Sequence, residues 1–216
     1  MTLYSLLSRL LPTRAAPKNP RRIVLILPCC IGDVVLATAT LAALRRGYPD
    51  AHITWAVGSW SKGAVEHHPM LNAILDSGAD ALPVRSPRGL LRFVRQLRAG
   101  RYDLAVSLVR SPLMSAAVWL SGIPHRAGLD SAGRGFGYTI RAPIDPNQPR
   151  HEADIYLDGA RALRLDGSGC RANVPVREQE QVLSLLEGQG VQQPFIVVNP
   201  AGGRRPSPTI WSRSSA

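Results

Sequence analysis

The sequence is poor in several features, and each shortage excludes a class of protein. None of its apolar runs approaches the roughly 18 to 20 residues that a transmembrane helix needs. Its three cysteines, two of them adjacent, provide neither a disulfide framework nor the spaced ligands of a structural zinc site. A reducing cytoplasmic compartment is therefore expected.

Lysine is also scarce, although the chain is strongly basic. Lys18 and Lys62 are the only lysines, so 24 of the 26 basic residues are arginine and the formal net charge is +11. Such a charge favours an anionic membrane face, a polyanionic substrate or nucleic acid as partner. The arginines are scattered, without zinc-finger spacing or an aromatic RNA-binding signature. Nucleic acid is therefore the weakest of these alternatives, and no nucleic-acid partner is expected.

Apolar strand-like runs alternate with helical patterns along residues 22–165. This alternation predicts an α/β fold, a Rossmann-like parallel sheet with helices on both faces. The predicted strands are 22–27, 52–57, 73–76, 103–109 and 125–129. The predicted helices are 33–47, 60–67, 87–99, 111–121 and 152–165. The first helix should be nearly surrounded by protein, whereas the arginines of helix 87–99 are expected on its solvated face.

The turn after the first strand, at 28–33, lacks the glycines of a phosphate-binding loop. It has a single glycine, Gly32, so neither G-x-G-x-x-G nor the Walker pattern is present, and no cofactor is expected. Gly32 can adopt a positive φ or let a partner approach the backbone. Asp33 has two interpretations: a cap for the helix, or a carboxylate at the ligand crevice that takes a proton from a substrate hydroxyl.

The adjacent cysteines of this turn, Cys29 and Cys30, also have two interpretations. A helix N-terminus can lower the pKa of a thiol and make it reactive. Small, mostly buried side chains filling space at a strand end are the simpler interpretation.

The composition changes near residue 145 and predicts four segments. Residues 1–20 form an N-terminal amphipathic segment, either a docked helix or one at a membrane interface. Residues 21–150 form the Rossmann-like domain, and 151–194 contain connecting helices. The segment 195–216 begins with "FIVVNPAGG", which predicts the first strand and turn of a second α/β domain. Because 13 residues without helical periodicity remain after Gly203, that domain is expected to be truncated.

Several segments together resemble glycosyltransferase family 9, the lipopolysaccharide heptosyltransferase family. The resemblance covers about 20 to 203 and includes "ILPCCIGDVVLATATLAALRRGYPDAHITWAV", "IPHRAGLDSAGRGF" and "HEADIYLDGARALRLD". Its most specific part is the Gly-Asp pair, Gly32 and Asp33. Ala39 and Thr40 depart from the family pattern, which usually has a proline there. Trp211 lacks the flanking Lys and Pro of the Lys-x-Trp-Pro segment with which the family continues.

The resemblance implies the N-terminal half of a GT-B fold, in which two Rossmann-like domains face each other across a cleft. The implied reaction transfers heptose from ADP-heptose to the lipopolysaccharide core, with Asp33 as general base and no metal. Family motifs and basic residues then suggest Gly32, Lys62, Arg126 and Arg134 for the acceptor. The donor would bind at Asn199, Gly202 and Gly203.

The resemblance also implies a location and leaves the activity of this chain open. The lipopolysaccharide acceptor would bring the protein to the inner face of the inner membrane as a peripheral protein. With its donor domain truncated, the printed chain is expected to lack transferase activity. The alternative is a non-catalytic domain that binds the acceptor.

Overall fold

The computed structural model of the chain describes residues 11–80, 82–173 and 179–191. The chain divides into two compact units, residues 1–175 and residues 176–216. In the part of the second unit that is described, one helix, α5, spans Gln179–Gly188. The predicted strand at 195–203 and the first ten residues of the predicted amphipathic segment lie outside the described residues.

The first unit is built on a six-stranded sheet in which every neighbouring pair of strands is parallel. The strands are β1 (Arg22–Ile26), β2 (His52–Val57), β3 (Ala73–Asp76), β4 (Leu104–Ser107), β5 (His125–Ser131) and β6 (Ile140–Ile144). Their order across the sheet is β3-β2-β1-β4-β5-β6. This arrangement confirms the predicted Rossmann-like α/β fold.

Helices cover both faces of the sheet, as the sequence predicted. They are α1 (Ile31–Gly47), α2 (Pro87–Ala99), α3 (Pro112–Leu120) and α4 (Glu152–Arg161). β1 alternates between the two cores: Ile23 and Leu25 pack with α1 and α4, whereas Val24 and Ile26 pack with α2 and α3. The central strands are buried on both faces, which explains their continuous apolar sequences.

α1 and α2 have the environments that the sequence predicted for them. α1 buries Val34, Leu41 and Leu44 together with five small Ala and Thr residues. α2 buries Phe93, Val94 and Leu97, while its arginines are exposed. Their surface positions agree with the predicted solvated face. Among the described residues, no helix has the length and hydropathy of a membrane span.

Three elements differ from the sequence predictions. The helix predicted at 60–67 is a single 3₁₀ turn, Lys62–Ala64. The helix predicted at 152–165 ends at Arg161, and Arg164 has a left-handed φ of 62°. β6 was not predicted, since its Pro143 argues against a strand; the proline is accommodated because β6 lies at the sheet edge.

The first unit extends beyond the boundary predicted at residue 150. α4, which the sequence assigned to connecting helices, packs on the sheet instead. Its Ile155 and Tyr156 are 5% and 4% exposed and belong to the same core as β1 and α1. The hydrophobic core therefore requires α4, and the compact unit continues to residue 175.

Candidate active site

The sheet has its topological switch point between β1 and β4, and a pocket of about 400 Å³ lies there. From β1 the chain crosses to β2 on one side, while β4 lies on the other. In open α/β sheets, ligands bind in the crevice outside the carboxyl ends of the strands at such a point. Apolar residues form part of the lining: Leu27, Leu82, Leu108 and Val109. Polar and ionisable residues complete it: Cys29, Asp33, Arg110, Ser111, Glu152 and Tyr156.

Asp33 lies in the first turn of α1, beside this pocket. The helix begins at Ile31 with Cys30 at the N-cap, and no side chain makes a capping hydrogen bond there. The predicted role of Asp33 as the helix cap is therefore wrong. A carboxylate in the first turn still interacts favourably with the helix dipole. Its half-buried side chain is available for other contacts.

Tyr156 of α4 provides the main contact to Asp33. Its hydroxyl donates to Asp33 Oδ1 across 3.0 Å. Burial raises the pKa of the Tyr156 hydroxyl, and the nearby Asp33 carboxylate raises it further. Tyr156 therefore keeps its proton and remains a donor at neutral pH. The bond fixes one carboxylate oxygen of Asp33 while the residue lines the pocket.

Gly32 precedes Asp33 in the same helical turn. Its φ is not positive, so the sequence-based suggestion of a left-handed turn is wrong. A Cβ added at Gly32 would meet no atom within 4 Å. The space beside the residue agrees with the other suggestion, close approach by a partner.

A second pocket, of about 330 Å³, adjoins the first and shares Arg110 and Glu152 with it. Nη2 of Arg110 donates to both carboxylate oxygens of Glu152, at 2.8 and 3.1 Å. Arg134 and Arg150 also line the second pocket. Arg150 pairs with Asp158, whereas the exposed guanidinium of Arg134 has no protein partner among the described residues. Arg134 is thus available to an anionic ligand.

The cysteines beside Asp33 differ from both sequence-based interpretations. Cys30 is exposed and Cys29 is half-buried, so they are not a buried pair. Burial raises the pKa of the Cys29 thiol to about 12, and hydrogen bonding to Asp33 adds to the rise. A helix N-terminus that activates a thiol would lower its pKa instead. The two Sγ atoms are 3.6 Å apart.

The structure does not bring all the predicted acceptor residues together. Asp33 and Gly32 lie at the first pocket and Arg134 at the second. Lys62 also lies at the carboxyl ends of the strands. It pairs with Glu66 at 3.7 Å, however, and lines neither pocket.

Arg126 lies near the amino end of β5, whereas Asp33 lies at the carboxyl ends of the strands. Its guanidinium donates to the carbonyls of Gly137 and Ile123 at 2.7 and 2.6 Å. These contacts indicate that Arg126 supports the fold, and they do not support its predicted role in acceptor binding. The predicted donor residues Asn199, Gly202 and Gly203 lie outside the described residues.

The sequence patterns did not predict Arg110, Glu152 and Tyr156 as site residues. Tyr156 is 123 positions from Asp33, so no local pattern connects them. The motif "HEADIY", quoted above for the resemblance, was the available signal for Glu152 and Tyr156. Arg110 directly follows the predicted strand 103–109 and lies three residues beyond the observed end of β4. Its position at a strand end was therefore an available signal for a site residue.

Comparison with known proteins supports the family resemblance. The sequence is 29% identical over 109 residues to lipopolysaccharide heptosyltransferase 2 of Escherichia coli (strain K12), covering 50% of this chain and 30% of that protein. This match supports the assignment of the chain to glycosyltransferase family 9, the heptosyltransferase family. No protein-family model matches the sequence.

Solved structures of family 9 share the fold. The crystal structure of the glycosyl transferase family 9 from Veillonella parvula DSM 2008 matches with a TM-score of 0.68 and 24% identity, covering 84% of this chain and 53% of that one. The structure of E. coli ADP-heptose lps heptosyltransferase II matches with a TM-score of 0.60 and 20% identity, covering 80% and 51%. The chain thus spans about half the length of these proteins.

Proposed function

We propose that the chain is the acceptor-side half of a heptosyltransferase that transfers heptose from ADP-heptose to the lipopolysaccharide core. The observation that carries this proposal is the Asp33 carboxylate, which Tyr156 holds beside the switch-point pocket. The similarity to heptosyltransferases supports the reaction class. The ADP-heptose donor and the lipopolysaccharide acceptor are proposed from the names of the relatives.

In this proposal Asp33 is the general base. Its carboxylate takes the proton of an acceptor hydroxyl while the hydroxyl oxygen attacks the anomeric carbon of the heptose. The new carbon–oxygen bond forms as the bond to the diphosphate breaks, and ADP leaves with the bonding electrons. A donor and an acceptor held on opposite sides of the anomeric carbon give inversion. Positioning both substrates accounts for a large part of the rate in such reactions.

The second pocket is the proposed site for anionic groups of the acceptor. The exposed Arg134 guanidinium can bind a phosphate or carboxylate with two donors, a geometry that lysine lacks. Because the two pockets share Arg110 and Glu152, an acceptor with its anionic group at Arg134 could extend toward Asp33. This location also suggests a peripheral protein of the inner membrane face.

The second candidate function is non-catalytic binding of the acceptor. It is favoured by the location of both pockets within residues 1–175, so acceptor binding requires no other domain. Incubation with ADP-heptose and a heptose-deficient core acceptor separates the candidates when the printed chain is compared with the same chain joined to the nucleotide-sugar half of a family 9 relative. The printed chain is expected to bind the acceptor without turnover, and turnover by the joined version would overturn the non-catalytic candidate.

The role of Asp33 is tested by Asp33→Asn in a version joined to the nucleotide-sugar half of a family 9 relative. Asparagine keeps the shape of the side chain but cannot accept the proton. The rate is expected to fall by about 100- to 10,000-fold, the usual loss for a general base. Thermal melts should differ by only a few degrees. An unchanged rate would refute the assignment.

A further inference from the structure

We infer that the start of α1 and the turn before it bind a thiophilic divalent cation of the zinc class through Cys29, Cys30 and Asp33. Their two Sγ atoms and a carboxylate oxygen all lie within 4.8 Å of one another. Within residues 11–80, 82–173 and 179–191, no other group of three such ligand side chains was found. The sequence alone predicted no metal site, because two adjacent cysteines match no metal-binding spacing.

The distance between the sulfurs fits one tetrahedral ion. Zinc–thiolate bonds of about 2.3 Å at a tetrahedral angle place two sulfurs roughly 3.8 Å apart. The Sγ atoms of Cys29 and Cys30 are already 3.6 Å apart, whereas a disulfide would require about 2.0 Å. Binding therefore needs little movement of the two side chains. Each thiol loses its proton to solvent when the ion binds.

The surroundings provide the remaining features of a metal site. Asp33 supplies an oxygen ligand, and the Tyr156 hydroxyl donates to Oδ1. Such a donor orients a ligating carboxylate from outside the coordination sphere. Cys30 is exposed and gives the ion access from solvent. The pocket beside Cys29 and Asp33 leaves room for water as the fourth ligand.

The ligand set selects the class of ion and has a consequence for activity. Two thiolates favour zinc or cadmium, whereas magnesium and calcium prefer oxygen ligands. A bound ion would occupy the carboxylate that we propose as general base, and would therefore inhibit transfer. That consequence rests on the proposed function, but binding of the ion does not.

The test titrates the reduced full-length chain with Cd²⁺ and follows the thiolate-to-cadmium charge-transfer absorption. We expect one high-affinity Cd²⁺ per chain with two thiolates bound, displacement by Zn²⁺, and no displacement by Mg²⁺. Cys29→Ser and Cys30→Ser should each weaken binding by at least about 100-fold, since losing even an outer-shell partner costs 10- to 100-fold. Cys170→Ser, which removes the third cysteine, is the matched control and should bind normally.

Three results would overturn the inference: no charge-transfer band, wild-type affinity in Cys30→Ser, or lost affinity in Cys170→Ser. Thermal melts of each variant establish that it is folded, and the exposed position of Cys30 keeps its substitution mild. The readout is independent of transferase activity. Cd²⁺ binding together with an unchanged rate in Asp33→Asn supports the metal site and refutes the proposed base. If Cd²⁺ does not bind and the rate of Asp33→Asn collapses, the metal site is refuted and the proposed base is supported.

Discussion

The hydrogen bond between Tyr156 and Asp33 joins two helices that pack on the same face of the sheet. Tyr156 is 4% exposed and belongs to the core shared by α1 and α4, so its ring is fixed by packing. Its hydroxyl emerges at the pocket and holds one oxygen of Asp33. The geometry of the proposed base therefore depends on the hydrophobic core behind it.

Removing this hydroxyl with Tyr156→Phe should affect both stability and rate. A hydrogen bond to a charged group contributes about 1.5 to 3 kcal/mol, and the half-buried Asp33 places the expected loss at the lower end. An unanchored carboxylate should also reduce the rate by roughly 10- to 100-fold, the scale expected for misplacement of a reacting group. Denaturant unfolding and the transfer assay of the joined version measure these effects.

Tyr102→Phe is the matched control, because Tyr102 is 7% exposed and packs in the core on the other face of the sheet. Its rate should remain at the wild-type value. A wild-type rate in Tyr156→Phe would show that the hydroxyl does not position Asp33.

Cys30→Ser should stabilise the chain. Cys30 occupies the N-cap of α1 with an extended backbone, φ −61° and ψ 150°, but makes no capping hydrogen bond. Serine is among the best N-cap residues, and a cap contributes about 0.5 to 1 kcal/mol in favourable cases. For a domain of this size the melting temperature should rise by roughly 1 to 4 °C. Cys170→Ser should give no such rise, and a lower melting temperature in Cys30→Ser would contradict the prediction.

The residues of the candidate site were only partly predictable from sequence. Gly32 and Asp33 lie at the end of the short turn that follows a buried strand, so their place at the carboxyl ends of the strands could be predicted from local pattern. Tyr156 could not, since its role depends on how α4 packs against α1. Arg126 was misleading because a basic residue beside a family motif gives no indication that backbone carbonyls satisfy its guanidinium.

Among the elements, strands β1, β2 and β3 were the most predictable, although β3 is an edge strand with half-buried side chains. The predicted β2 and β3 coincide with His52–Val57 and Ala73–Asp76, and β1 differs by one residue. Continuous apolar runs between turn residues are distinctive when a strand is buried on both faces. β6 lies at the edge and contains Pro143, so the same pattern fails there.

The packing of β5 against the segment before β6 gives a prediction for Gly128. A Cβ at Gly128 would overlap Cε2 of Tyr138. That ring is 1% exposed, and its hydroxyl donates to Ser107 Oγ at 2.9 Å. Since the ring has little freedom to move, Gly128→Ala should destabilise the chain by about 1 to 3 kcal/mol through overpacking. This constraint explains a glycine within the family-like "HRAGL" segment.

Urea unfolding of Gly128→Ala measures this effect, with Gly63→Ala as the control. A Cβ at Gly63 would meet no atom within 4 Å, so its midpoint should stay near wild type. Equal midpoints for the two variants would refute the packing argument.

For the molecule as a whole, the net charge of +11 is displayed on a surface that also carries exposed apolar side chains. The exposed face of α2 has Arg88, Arg92, Arg95 and Arg98. On the neighbouring α3, Trp119 and Leu120 are 44% and 43% exposed. Arg98 connects the two helices by donating to the Leu120 carbonyl at 2.8 Å. Arginines beside an exposed tryptophan are suited to the headgroup region of an anionic membrane.

We therefore expect the chain to bind phosphatidylglycerol vesicles at low salt, and to bind neutral phosphatidylcholine vesicles much more weakly. Each arginine near an anionic surface contributes about 1 kcal/mol, so Arg88→Gln combined with Arg95→Gln should weaken binding roughly 30-fold. High salt should remove most of the binding through screening. The control pair, Arg21→Gln with Arg46→Gln, removes the same charge from residues outside α2 and α3. Equal weakening by both pairs in a vesicle co-sedimentation assay would show that net charge alone, and not the face formed by α2 and α3, attracts the membrane.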